Sequence, residues 1–255
     1  MTKDIFKAIL TNRSSYICHN QDQIKDEYRT IARGLDLITR ITEGNINKEK
    51  IEALSEEEQN IWWSTFVHFK IDSFNSIINS LNLILVGCRN DAIALMRNIL
   101  EAESILEYGL RFNKMREIRK VYVFEIEKEP RRKEILQELD KDGEKRYDAW
   151  KSFSIFGSHV LFSKMQKNFI WDIGGEIKQI QGGGLLSRRE LIQETLILIQ
   201  LLEYAIKNNK TFLKRYEDFL KDKNLLEDLD DWLLESGKVI ENAKEEFKEY
   251  YKEDL

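Results

Sequence analysis

Proline occurs once in the 255 residues, at Pro130. Proline removes a backbone donor and clashes with the preceding turn, so its near-absence leaves long stretches free to run as helix. The apolar spacing uses that freedom. Ile24, Tyr28, Ile31, Leu35 and Ile38 fall at helical intervals and predict an amphipathic helix over about Gln21 to Thr42, closed by Glu43-Gly44-Asn45. Ser55 with Glu58 is a capping box, and it opens an apolar-rich helix running through Phe66, Phe74, Ile77 and Leu81 to Ile84. Gly87 to Asp91 reads as a break recapped by Asn90 or Asp91, or as a kink in one longer helix. The most apolar helix follows, from Asp91 to Phe112, and further helices are expected over Lys114–Lys128, Arg131–Leu139 and Glu144–Met165.

Strand competes in one place. Phe169 to Ile173, Gly174-Gly175 and Glu176 to Ile180 have the form of a small hairpin, and Gly182-Gly183-Gly184 reads as a hinge beyond it. A second capping box, Ser187 and Glu190, starts a long helix expected to reach Lys221. The fold class read from this pattern is all-α: a helical bundle over residues 1–224 with a hairpin insertion near 169–180. An acidic amphipathic helical segment, 225–255, packs on it. That last segment carries eleven acidic residues against four lysines, so of the net charge of −5 it holds −7 and the preceding 224 residues hold +2. A nearly neutral body neither demands nor excludes a nucleic-acid partner.

A chain of this length can bury roughly 70% of its unfolded surface without staples. Cys18 and Cys88 are the only cysteines, without CxxC or Cys/His clustering, which suits free thiols in a reducing compartment and no metal. No cofactor is expected. The amino-terminal MTKDIFKAIL lacks a signal-peptide core, and the longest apolar run, Leu196 to Leu202, is far short of the ~20 residues of a membrane span. A cytoplasmic protein without membrane contact is the expectation. Phosphate-loop, GxGxxG, HExxH, GxSxG and EF-hand motifs are absent.

The candidate chemistry lies on the helix Asp91–Phe112. Arg97, Glu101, Ser104 and Tyr108 form one stripe along it, while Met96, Leu100, Glu103 and Glu107 form a second stripe read as a route to solvent. An inward Arg and Glu must be paired, because an isolated buried charge costs several kcal/mol. His159 is the second element, set among Ser152, Ser154 and Ser158 in an aromatic-rich helix, where it suits a general base or a hydrogen-bond anchor. The plainer readings are a structural ion pair, a solvated face and a core histidine. His68, beside Trp63 and Phe69, reads as packing. Arg111, Lys114, Arg116, Arg119 and Lys120 make a basic run, the place for phosphates if nucleic acid binds and otherwise a solvated face.

Arg97-x3-Glu101 in an apolar helix, then Tyr147, Ser154 and His159 and a glycine-containing extended segment, resembles an uncharacterised bacterial all-helical family associated with mobile elements and defence. That family is similar to the HEPN and abortive-infection groups, whose better-known members are ribonucleases or nucleotide-binding modules. The resemblance spans roughly residues 60–215 and implies a helical bundle that brings Arg97, Glu101 and His159 together. The chain departs from the HEPN spacing, in which Arg and His share one helix; its only such match is Arg13-x5-His19.

Two functions fit these residues. One is a metal-independent ribonuclease or nucleotide-handling enzyme, with His159 as acid/base, Arg97 stabilising phosphorane charge and Glu101 orienting Arg97. Ser104, Tyr108, Ser154 and Ser158 are its secondary residues, and RNA or a nucleotide its partner. The other is a non-catalytic helical interaction module, a homodimer or subunit of an assembly, in which the same residues are a polar latch. An exposed apolar patch around Trp62 and Trp63 would favour the module, and a polar surface with one deep cleft would count against it.

Overall fold

The computed structural model of the chain describes residues 14–42, 46–62, 67–119, 132–158, 169–171, 177–180 and 186–252. The described residues form an all-α bundle. In chain order its helices are α1 (14–23), α2 (Lys25–Thr42), α3 (Lys48–Glu52), α4 (Glu56–Asn60), α5 (Val67–Leu85), α6 (Arg89–Arg111), α7 (Met115–Ile118), α8 (Arg132–Leu139), α9 (Arg146–Ser158), α10 (Arg188–Lys214) and α11 (Leu225–Lys252). No helix among the described residues is long and apolar enough to cross a membrane.

α6 and α10 form the centre. α6 packs against α5, α8, α9 and α10, and α10 packs in addition against α2 and α11. The main core joins Ile31 and Ile38 of α2, Ile77 and Ile84 of α5, Met96 and Leu106 of α6, Leu198 and Ile206 of α10, and Leu229 and Trp232 of α11. A smaller cluster of Phe69, Ile105, Ile118, Ile135 and Leu139 lies under α7 and α8. The acidic C-terminal segment is therefore one helix whose apolar side is part of the main core: Trp232 is fully buried and donates its indole N–H to the Thr30 carbonyl at 2.9 Å. Gly34 permits that approach. A Cβ there would stand 2.7 Å from both Leu202 Cδ2 and the Trp232 ring, so α2, α10 and α11 meet where a side chain would not fit.

Several boundaries differ from the sequence reading, for local reasons. The Ser55–Glu58 capping box forms, with Ser55 Oγ accepting the Glu58 amide; past Asn60 the helical path widens to a π turn at Ile61 and Trp62, and α5 begins at Val67 beyond residues that lie outside the described set. The break after α5 is real: Gly87 takes φ of 82°, a conformation costly for other residues, and α6 restarts at Arg89. Its cap position is Cys88, without a side-chain bond, rather than Asn90 or Asp91. α6 closes at Asn113 with φ of 53°, which asparagine tolerates. α9 starts at Arg146 because the Asp140 carboxylate takes the amides of Arg146 (2.8 Å) and Tyr147 (2.9 Å). α10 stops at Lys214, short of Lys221, and Leu220 instead bridges to Ile46.

The hairpin expected near 169–180 is not counted as an element of the fold. Its turn, Gly174-Gly175, lies outside the described residues, and what is described is two short stretches, Phe169–Trp171 and Ile177–Ile180, paired antiparallel with a register break. Residues 120–131 and 159–168 also lie outside, and with them Lys120, His159 and the expected ends of two helices.

Candidate functional site: a cleft between α6, α9 and α10

Arg97 and Glu101 do meet, one turn apart on α6. Arg97 Nε donates to Glu101 Oε1 at 2.8 Å, and the guanidinium lies 4.8 Å from the Trp150 ring centre. Glu101 has two further donors: Trp150 Nε1 at 2.6 Å and Arg132 at 2.9 Å. Its side chain is only 10% exposed, so these three partners, from α6, α8 and α9, are what keep a carboxylate stable there. The geometry is that of a clasp tying α8 and α9 to α6.

The other members of that stripe part company. Ser104 is buried and faces α10, where the Tyr204 hydroxyl lies 3.4 Å from its Oγ. Tyr108 accepts a hydrogen bond from Lys114 Nζ at 3.2 Å and packs on Phe112. Ser154 donates to the Trp150 carbonyl at 2.7 Å. Ser158 ends α9, and its side chain, like all of His159, lies outside the described residues, so the structure does not place the histidine beside Arg97. His68 is on the surface rather than packed inside, 3.5 Å from Asp72. In the basic run, Arg111 pairs with Asp142 at 2.8 Å, Arg116 with Glu57 at 2.9 Å and Lys114 with Glu117 at 3.8 Å, while Arg119 is half-buried at the end of α7. These cations are largely answered by acids of the chain itself.

The second stripe of α6 faces inward, opposite to the sequence reading. Met96, Leu100 and Glu103 are buried and Glu107 is half-buried. Glu103 accepts from Asn208 Nδ2 of α10 at 2.9 Å, and burial pushes its carboxyl up to about 7. One turn later, Glu107 stands at the inner end of a cleft of about 820 Å³ bounded by α6, the start of α9 and α10.

No family model, no curated protein and no solved structure matches the chain. The cleft is therefore read from its own residues.

Its inner end is a charge cluster built round Arg146, whose side chain is 8% exposed. Arg146 donates to Glu107 at 3.1 Å and to both oxygens of Asp142 at 3.0 and 3.2 Å, and Glu144 lies 3.3 Å away. Burial alone would weaken the guanidinium's hold on its proton, but the facing carboxylates win and raise its pKa above the usual arginine range. Arg146 in turn, with the Glu144 amide, holds Asp142 well below the usual carboxylate range. Tyr204 of α10 donates its hydroxyl to the second oxygen of Glu107. Burial and the Glu107 charge keep that phenol protonated far above its normal range. The walls are mixed: Leu100 and Leu110 from α6, Ala149 and Phe153 from α9 and Ile197 and Leu201 from α10 alternate with polar side chains such as Gln200, Lys207 and Thr211.

Chemically this inner end is closed. Glu107 already accepts from Tyr204 and Arg146, and Arg146 is shared among acids, so neither is poised to move a proton. What the arrangement can do is hold a shape: a slot of mixed lining with a fixed charge cluster. Helical spacing carried a signal for two of these residues, because Glu103 and Glu107 continue the apolar Met96-Leu100 stripe. For Arg146, Tyr204 and Asn208 the sequence offered none, since their roles arise only when α9 and α10 pack on α6.

Proposed function

We propose that this chain is a helical small-molecule-binding module whose ligand occupies the cleft between α6, α9 and α10, and that the Arg97–Glu101 pair is a structural latch. The cleft carries the reading: about 820 Å³, inside the roughly 300–1,000 Å³ range of small-molecule sites, with apolar patches on its walls and a fixed charge cluster round Arg146. Supporting the latch is the saturation of Glu101 by Arg97, Arg132 and Trp150, which leaves Arg97 stacked on an indole rather than offered to a phosphate.

An apolar docking face finds less support. Among the described residues the large exposed apolar side chains are Ile71, Phe112 and Leu234, on separate helices or their ends, and Trp62 is only 2% exposed. Trp63 lies outside the described residues.

Two measurements test the reading. A fluorinated fragment set followed by ¹⁹F NMR should give hits on the wild type that Ala149→Phe, which fills the slot, abolishes at an unchanged melting temperature. A cellular RNA pool incubated with chelator should stay intact. Cleavage lost in both Arg97→Ala and His159→Ala, with melting unchanged, would restore the ribonuclease and defeat this proposal.

A further inference from the structure

Resting on that reading, we infer that the cleft's ligand is an uncharged amphipathic molecule, with an apolar body and an edge of neutral hydrogen-bonding groups such as hydroxyl or amide. The first observation is the charge balance. Four carboxylates and four cations line the cleft, and each is answered by opposite charge within the chain. Arg146 holds Glu107, Asp142 and Glu144, and Arg111 holds Asp142 at 2.8 Å. Lys207 pairs with Glu203 at 3.8 Å, and Lys145 acts on Asp148 in the first turn of α9. A charged ligand group would meet no vacant countercharge, and gaining one would mean breaking a pair. An ion seated there without a partner loses hydration that nothing replaces.

The second observation is which polar groups keep spare capacity. Gln200, Tyr204, Asn208 and Thr211 stand at i, i+4, i+8 and i+11 of α10, so they form one row along the cleft wall, and all four are neutral. Gln200 is exposed, and its carboxamide makes no hydrogen bond among the described residues. Asn208 gives its N–H to Glu103 at 2.9 Å, while its side-chain carbonyl accepts nothing among the described residues. Thr211 donates to the Lys207 carbonyl at 2.9 Å and keeps an acceptor lone pair. Hydrogen-bonding capacity left over on this wall is therefore amide and hydroxyl, not ionic.

The apolar half of the ligand has its own surface. Leu100 and Leu110 of α6 and Phe153 of α9 are each buried, and Ala149 lies beside them on the cleft lining. A body laid on these side chains gains hydrophobic transfer energy. The orientation follows: apolar body against Leu100, Ala149 and Phe153, neutral polar edge along α10 toward Gln200 and Asn208.

The test uses three probes that share an eight-carbon body and differ in the head: octanamide, octanoate and octylammonium. Each is titrated calorimetrically into the full chain, into Gln200→Leu and into Ala149→Phe, with melting temperatures recorded. Octanamide should bind one per chain, roughly tenfold more tightly than either ion, and raised salt should change its affinity by less than about twofold. Gln200→Leu, which keeps the bulk and removes the amide, should weaken octanamide roughly threefold to tenfold at an unchanged melting temperature. Ala149→Phe should abolish its binding. Either ion binding as tightly as octanamide, or octanamide indifferent to Gln200→Leu, overturns the neutral assignment while leaving the cleft a binding site. Failure of all three probes to bind, or binding that survives Ala149→Phe, overturns the cleft reading as well.

Discussion

Glu103 gives the most direct handle on the packing that shapes the cleft. It is fully buried on α6, tied to Asn208 of the α10 wall, and its carboxyl is pushed from the ordinary 4.5 up to about 7. A raised carboxyl pKa means the folded state holds a proton that the unfolded chain has released. Between pH 4.5 and 7 the unfolded state therefore binds fewer protons, and stability falls as pH rises. At about 1.36 kcal/mol per pH unit the displacement corresponds to roughly 3 kcal/mol lost across that window. Glu103→Gln substitutes a neutral amide for the protonated acid. Urea unfolding of wild type and variant at half-unit steps from pH 4.5 to 7.5 reads the difference directly, and subtraction cancels the other titrating groups. The variant should gain about 3 kcal/mol relative to wild type from the acid end to the neutral end. A difference that stays flat across the window would refute the reasoning.

Lys70 predicts the opposite limb. Burial pulls its ammonium from 10.5 down to about 7, so stability should rise between pH 7 and 10.5, and Lys70→Met should remove that rise in the same urea assay. Trp150→Phe removes one of the donors to Glu101 and should lower stability by about 1.5–2 kcal/mol, read by thermal melting. Gly34→Ala forces a Cβ against Leu202 and Trp232 and should cost about 1–3 kcal/mol, with a shift in Trp232 fluorescence on the native protein.

Much of the helical order was legible because it depends on neighbours in sequence. The stripe from Tyr28 to Ile38 lies in α2, with Ile24 at the turn just before it; the Ser55 box caps α4, and α6 runs within two residues of its expected span. What periodicity cannot supply is which face meets which partner. The pattern Met96-Leu100-Glu103-Glu107 was read as a path to water because it turns acidic, yet α10 covers it with Asn208 and Tyr204 and makes the acids acceptable inside. Arg97 and Glu101 could be paired from their spacing alone. Their conversion into a clasp needed Trp150 and Arg132, which approach from helices far along the chain. The basic run Arg111 to Arg119 shows the same limit, since Asp142 and Glu57 answer its charges from distant segments.

The central claim is that the cleft between α6, α9 and α10 takes a small molecule, and methyl NMR tests it most directly. With isoleucine and leucine methyls labelled, a hit from the fluorinated fragment set should shift the signals of Leu100, Leu110, Ile197 and Leu201, and leave those of Ile51 and Leu229 in place. The same titration on Ala149→Phe should shift none of them. Saturable perturbation centred on residues away from these four, or unchanged wall methyls at full occupancy, would contradict the account.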